Sequence, residues 1–310
     1  MEKSVYQQII DHISDGVLDN SFSLPDEAAG QSQVRFAPGS FDGICMYHMG
    51  HRDLDTDGAK QMAVALKTAA NGDFPEIDNL FNEWTKEHRA ISYIDDLQKY
   101  VIDHAKKLDP GNVHHTALSM VLRSNHIECV KIGLELLELF GEPGEDLKEV
   151  IRRLGLYDEF TIFSVWNMQK WEAGNQEIFA LAQKTHNWGR IHAVERLEPE
   201  TDEIRHWLLT EGAINGVTNA YSALPCWEKS GAEAVLFGHP TADEFNGLIT
   251  LIEGLMDEGP VPGISRLENA ENIILRLLEL APEYPLDQED QDQILAIRER
   301  MDHKDDESEE

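Results

Sequence analysis

The stretch that decides the fold is Trp188-Gly-Arg-Ile-His-Ala-Val-Glu-Arg-Leu197, which continues through Glu198-Pro-Glu-Thr-Asp202 into Glu203-Ile-Arg-His-Trp-Leu-Leu209. It predicts a short helix, a proline-containing turn and a second short helix. Acidic residues follow Thr201 in the first turn of the second helix, where they favour the helix dipole. Similar pairs recur upstream at intervals of roughly thirty residues, which is the period of an α-solenoid.

The paired pattern predicts eight short helices between residues 112 and 236. The first helices of the pairs are predicted at 113–123, 145–154, 175–184 and 201–210, and the second helices at 127–140, 157–171, 187–197 and 216–227. Apolar residues three or four positions apart form one stripe on each helix, and stacking of the pairs would bury these stripes. An ordinary helical bundle is the alternative interpretation.

The flanking regions are also predicted to be mainly helical. Further helices are expected at 4–17, 57–70, 76–88, 92–108, 242–256, 265–280 and 288–301, followed by a charged tail at 302–310 that should fray. The segment 34–49 is apolar and aromatic but is interrupted by Pro38, Gly39 and Gly43, so it cannot form one long helix. We expect irregular structure there, with a short strand near residues 44–47.

The helical pairs from about residue 112 to residue 236 resemble HEAT or armadillo repeats. The resemblance implies an all-α fold, an α-α superhelix of HEAT-like type, which the pattern of the flanking regions extends with an irregular N-terminal segment at 34–53. The helix pattern along the chain predicts three regions. These are an N-terminal helical region at 1–110, HEAT-like repeats at 111–285, and a C-terminal helix with an acidic tail at 286–310.

The run from Trp188 to Gly212 also resembles uncharacterised bacterial proteins labelled limonene hydroxylase. A haem-thiolate enzyme would need a Phe-x-x-Gly-x-x-x-Cys loop, and none of Cys45, Cys129 and Cys226 lies in one. The GxGxxG fingerprint of flavin or NAD binding is absent as well. Deoxyhypusine hydroxylase has a similar architecture, but it binds iron through His-Glu dipeptides, which this chain lacks.

The charge of the chain restricts its partners. It has 26 Lys and Arg against 58 Asp and Glu, which gives a formal net charge of −32. Because nucleic-acid binding depends on Lys and Arg contacts to phosphates, we exclude DNA and RNA, and with them the HEAT-like DNA glycosylases. Anionic membrane surfaces are excluded for the same reason. The acidity favours a basic protein or peptide as the partner, or serves only to keep the protein soluble.

The sequence also indicates where the protein resides. Three widely spaced cysteines without a CxxC motif are typical of a reducing compartment. The N-terminus has no signal-peptide pattern, and no stretch contains the roughly twenty apolar residues that a transmembrane helix needs. We therefore expect a cytoplasmic protein that does not enter a membrane.

Aromatic, cationic and imidazole side chains in the repeat region are the candidate binding residues. Trp and Arg are enriched where binding energy concentrates, and they occur together at the predicted start of the helix at 187–197. The predicted groove residues are Trp188, Arg190, His192 and Tyr221, with Arg35 as a further candidate from the N-terminal segment. His192 and Glu195 could also form an acid/base pair, although a structural hydrogen bond is the default interpretation.

One short run has the composition of a metal site. His48, His51 and Asp53 lie close together on the irregular segment and could bind Zn or Fe through nitrogen and oxygen. The alternative is chance proximity, since thirteen histidines occur in the chain.

These observations lead to two hypotheses about function. The first is a non-enzymatic α-solenoid that binds a protein or peptide through its concave face. It requires no cofactor, and no reaction-specific motif assigns a catalytic residue. The alternative is a small-molecule or metal-dependent enzyme, whose site would form where the segment 34–53 packs against the repeats.

Overall fold

The structure, a computed structural model, describes residues 3–26, 34–49, 66, 88–259 and 261–308, with side chains to residue 301. These residues are mostly helical, with 67% helix and 2% strand. The prediction of an all-α fold is therefore confirmed. Within the described ranges, no helix has both the length and the apolarity that crossing a membrane requires.

The chain divides into two units, residues 1–192 and 193–310, which we call unit 1 and unit 2. Within the described residues, the helices of unit 1 for which both ends are seen are α1 (Val5–Ile10), α2 (Ser40–Ile44), α3 (Ile94–Asp103), α4 (Pro110–Arg123), α5 (Ile127–Glu138), α6 (Glu145–Gly155), α7 (Asp158–Met168) and α8 (Gly174–Ala182). The helix α9 (Trp188–Arg196) crosses the boundary between the units. Unit 2 continues with α10 (Asp202–Thr210), α11 (Ala220–Ser230), α12 (Ala232–Leu236), α13 (Ala242–Met256), α14 (Ala270–Leu280) and α15 (Gln288–Ser308).

The predicted helix at 4–17 is shorter than expected. It ends at Ile10 and is followed by a small antiparallel hairpin, β1 (Ile13–Ser14) and β2 (Val17–Leu18). The turn between the strands is Asp15-Gly16, and both residues have positive φ angles, 52° and 76°. An Asp-Gly pair is among the strongest hairpin signals because both positions tolerate this conformation. That local signal outweighs the four-residue spacing of the apolar residues.

The expectation of a strand near residues 44–47 is wrong. The helix α2 is followed directly by a π-helical turn, Cys45–Met49. Gly39 has a φ of 73° and stands immediately before α2, so the chain changes direction there and then becomes helical. The glycines interrupt a long helix, as predicted, but they do not exclude a short one.

The helices of unit 1 pack largely as sequence neighbours. α4 packs on α5, α6 packs on α7, and α5 also packs on α7. Close approach of α4 and α5 depends on Gly133, since a Cβ there would lie 2.9 Å from the carbonyl oxygen of Ala117 and from Cβ of Met120. The start of α4 is capped by Asp109, whose side chain accepts a hydrogen bond from Asn112 N, and Pro110 occupies the first helical position.

Unit 2 is built around one central helix. α13 packs against α10, α11, α12, α14 and α15, and most of its apolar side chains are fully buried. It begins with a capping box between Thr241 and Glu244. Pro225 lies inside α11, which continues to Ser230. α15 extends to Ser308, beyond the expected end of its helical pattern at residue 301.

The predicted apolar stripes are buried at most positions. Ile162, Val165, Ile191, Val194 and Leu197 are each at most 1% exposed. Two members of the predicted stripes are exposed instead, Leu122 at 37% and Val217 at 39%. The apolar periodicity therefore identified the buried faces of the helices. The prediction fails at the C-terminal end of α4 and in the loop before α11, where these two residues lie.

We expect Gly133→Ala to lower the free energy of unfolding by about 1–3 kcal/mol, because the added methyl group collides with the backbone of α4. Gly144→Ser is the control, since a Cβ there meets nothing within 4 Å and serine is a favoured N-cap residue at the start of α6. This control should lower stability by no more than about 0.5 kcal/mol. Chemical denaturation measures both. Equal effects of the two substitutions would contradict the close α4–α5 contact.

Candidate functional site

Four of the predicted binding residues are buried. Trp188 is 5% exposed, Arg190 8%, His192 0% and Tyr221 9%. The first three lie at the start and in the first turns of α9, and Tyr221 lies on α11 in unit 2. Side chains with so little accessible area offer a partner few contacts in this conformation, so their role in binding stays a prediction.

The structure brings two of these residues, Trp188 and His192, into contact with Tyr47 of the N-terminal segment. Tyr47 stacks on His192 with ring centroids 5.9 Å apart, and its ring is 6.2 Å from that of Trp188. A Cβ on Gly43 would lie only 2.2 Å from the Trp188 ring. Trp188 therefore lies flush against the backbone of α2, and only glycine at position 43 permits this contact.

Arg35 and His48, in contrast, lie at the surface. Arg35 donates a hydrogen bond to the carbonyl oxygen of Asp26 at 3.1 Å. His51 and Asp53 fall outside the described residues, so the predicted metal site cannot be assembled from the structure. Among the residues that are described, no group of three His, Cys, Asp or Glu side chains is arranged to hold a metal ion.

The most unusual feature of unit 1 is a buried lysine surrounded by three carboxylates. The Lys131 side chain on α5 is fully buried. Its Nζ lies 2.7 Å from Asp42 Oδ2, 3.1 Å from Glu128 Oε1 and 2.6 Å from Glu159 Oε2. These acids come from α2, α5 and α7, so a single ammonium group connects three separate helices. We call these four residues the Lys131 cluster.

In the Lys131 cluster, burial favours the neutral form of each group, whereas the attraction between ammonium and carboxylates favours the charged forms. Burial raises the pKa of Asp42 to about 7, against the weaker opposing effect of Lys131. For Lys131, burial would lower the pKa, but the three carboxylates together outweigh it and raise the pKa well above its usual value. The ammonium therefore stays charged, while Asp42 gains or loses its proton near neutral pH.

A second ion pair holds the same part of the chain. Arg89 donates from Nη2 to Asp26 at 2.8 and 2.9 Å, and both side chains are about nine-tenths buried. The Arg89 guanidinium also lies 4.3 Å from the centroid of the Phe41 ring. In addition, Glu128 accepts a hydrogen bond from Ala90 N at 2.7 Å, which links this ion pair to the Lys131 cluster.

The Lys131 cluster is thus a charged anchor for the N-terminal segment. Its four side chains are closely packed and almost inaccessible to solvent. A site that binds or transforms a ligand needs access, which this arrangement does not provide. A surface that binds a partner has to be formed by exposed residues instead.

Unit 2 contains an open groove of about 480 Å³ between α12 and α14. Its apolar surface comes from Phe237, which is 49% exposed, and Leu275, which is 42% exposed. Its polar side chains are Glu233, Asn269, Asn272, Arg276 and Glu279. We call these seven residues the α12–α14 groove.

The polar residues of the α12–α14 groove are mostly paired within it. Asn269 donates a hydrogen bond to Glu233 Oε1 at 3.3 Å, and Arg276 lies 3.5 Å from Glu279. On α14, Asn272, Leu275 and Glu279 follow the spacing that places side chains on one helical face. The groove therefore combines two exposed apolar side chains with polar ones, a mixture found at surfaces that bind other proteins.

The unit that contains the groove is strongly acidic. Residues 193–310 contain 28 Asp and Glu but only eight Lys and Arg, a formal net charge of −20. Unit 2 therefore carries most of the net charge of −32, although it is the smaller unit. A field of this sign attracts cationic partners and repels anionic ones.

Sequence reasoning missed both the Lys131 cluster and the α12–α14 groove. For the cluster, the available signal was the sequence of α5, which is otherwise mainly apolar. It carries Lys131 between two acidic residues, Glu128 and Glu135. For the groove, the available signal was Phe237, a large apolar residue followed by a glycine and a turn and outside any predicted apolar stripe.

In the comparisons with known proteins, no family model, no curated protein and no solved structure matches this chain.

The raised pKa of Asp42 has a consequence for stability. Its pKa in the folded protein lies above the unfolded value of 3.8, so the folded state binds this proton more tightly. The resulting contribution to stability is complete below about pH 3.8 and is lost as the pH rises through about 7. Replacement by asparagine removes this titration, so Asp42→Asn should show a smaller fall in melting temperature between about pH 4 and about pH 7, the interval between the unfolded and the folded pKa.

Thermal melts across this pH range measure the effect. Asp146→Asn is the matched control, because Asp146 is exposed at the start of α6 and should leave the pH dependence unchanged. If Asp42→Asn retained the pH dependence of the unmodified protein, the titration would have to be assigned to another group.

Proposed function

We propose that the chain is a non-enzymatic binding protein built from HEAT-like helical pairs. In this proposal it recognises a basic, amphipathic segment of a partner protein through the α12–α14 groove. The observation that carries the proposal is the exposure of Phe237 and Leu275 in a groove of the strongly acidic unit 2. The packing of α4 on α5 and of α6 on α7 supports the HEAT-like part.

The chemistry of the groove defines the partner. Two large apolar side chains in one groove would accept the apolar face of a helix, a recurrent mode of peptide recognition. The charge of −20 on unit 2 favours Lys and Arg on the flanks of that helix. Charge complementarity would speed association, and burial of Phe237 and Leu275 would supply most of the affinity.

The test uses a fluorescein-labelled helical peptide of about 18 residues, with Leu on one face and Lys elsewhere. Fluorescence anisotropy should show saturable binding to the unmodified protein. Phe237→Ser and Leu275→Ser should each weaken binding by about tenfold or more, as expected for residues at the centre of an interface. Raising the salt from about 0.05 to 0.5 M should weaken it further, because the interaction of opposite charges is screened.

Leu295→Ser provides the matched control. Leu295 is also a leucine of unit 2 and is 55% exposed, but it lies on α15 and does not line the groove. Its replacement should leave the affinity unchanged. A peptide in which Glu replaces Lys should not bind. Equal weakening by all three substitutions, or binding that is insensitive to them, would refute the α12–α14 groove as the binding site.

A further inference from the structure

A second cavity lies in unit 1, under the β1–β2 hairpin. It has a volume of about 480 Å³ and lies between the hairpin and the helices α6 and α8. Ligand pockets usually range from about 300 to 1,000 Å³, so this one suits a small ligand. Its apolar lining includes Ile13, Leu156, Met168 and Leu181, which come from the hairpin, the end of α6, α7 and α8.

The rim of this cavity has equal numbers of positive and negative side chains. The cations are Arg152, Arg153 and Lys184, and the anions are Asp15, Glu149 and Glu177. This balance is unusual in a chain with more than twice as many acidic as basic residues. The local balance favours a ligand without net charge, although the rest of the protein would attract cations.

Most of these charges are already paired. Arg152 binds Glu177 through two hydrogen bonds of 2.8 and 2.7 Å, and Arg153 binds Glu149 at 2.7 Å. Asp15 and Lys184 remain, and neither forms an ion pair within the described part of the chain. The ammonium of Lys184 lies beside the hairpin turn, since a Cβ on Gly16 would be 3.6 Å from its Nζ.

We propose that this cavity binds a free amino acid with an aliphatic side chain. The carboxylate of the ligand would pair with Lys184, its ammonium with Asp15, and its side chain would lie among Ile13, Leu156 and Leu181. The opposite charges of the ligand match the two unpaired groups of the rim, and the apolar lining selects against polar side chains. This site lies in unit 1 and is separate from the α12–α14 groove.

Isothermal titration calorimetry of the full chain with L-leucine tests the proposal. Saturable binding is expected, and Lys184→Met and Asp15→Asn should each weaken it at least about tenfold, as expected when a charged partner of a charged group is removed. Ala180→Phe, which fills the cavity from α8, should abolish it. Lys99→Met is the matched control, because Lys99 is 73% exposed on α3 and does not line the cavity.

Two analogues of leucine distinguish a site that binds both charged groups of the amino acid from a site that binds only one of them. 4-Methylpentanoate lacks the ammonium group, and 3-methylbutylamine lacks the carboxylate, so both should bind at least about tenfold more weakly than L-leucine. Each variant is checked by its melting temperature, which should stay unchanged because Lys184 and Asp15 are exposed. Absence of saturable leucine binding would overturn the proposal. So would equal binding of either analogue, or an affinity unaffected by both Lys184→Met and Asp15→Asn.

Discussion

The structure of unit 1 depends on a fully buried lysine, Lys131. Removing an ammonium group from solvent costs several kcal/mol, and the cost is offset only by close carboxylates. Lys131 has three of them, contributed by α2, α5 and α7. Because the cluster loses its compensation if any of these helices moves away, the ammonium fixes the position of the N-terminal segment more strictly than apolar packing alone would.

Charge is used differently in the two units. In unit 1 the notable charges are buried or paired, as in the Lys131 cluster and in the Arg152–Glu177 contact. In unit 2 the acidic residues are in large excess, and few cations are available to neutralise them. The first pattern stabilises a particular arrangement of helices, and the second creates a field that extends into solvent. The two proposed binding sites follow this difference, with a zwitterion in unit 1 and a cationic helix in unit 2.

Much of the fold could be predicted from the sequence, and the failures have identifiable causes. The helix 242–256 was predicted with the observed ends, since Thr241 and Glu244 form a capping box and Asp257 ends the apolar pattern. The hairpin after Ile10 was missed, because helical spacing was given more weight than the Asp15-Gly16 turn. The Lys131 cluster was not predicted, since a charged residue on a helix is normally expected to face solvent. Here α5 is buried on every side, a property of its neighbours that its own sequence does not reveal.

The central position of α13 has a consequence for the order of events during synthesis. Its buried surface is covered by α10, α11 and α12, which precede it, and by α14 and α15, which follow it. Ile294 and Ile297 on α15 are buried, so the core of unit 2 is incomplete until the ribosome has passed them. At roughly 5–20 residues per second, the apolar face of α13 is exposed on the nascent chain for a time on the order of seconds. Chaperones that hold nascent chains would therefore be expected to engage this unit during that interval, after unit 1 has been synthesised.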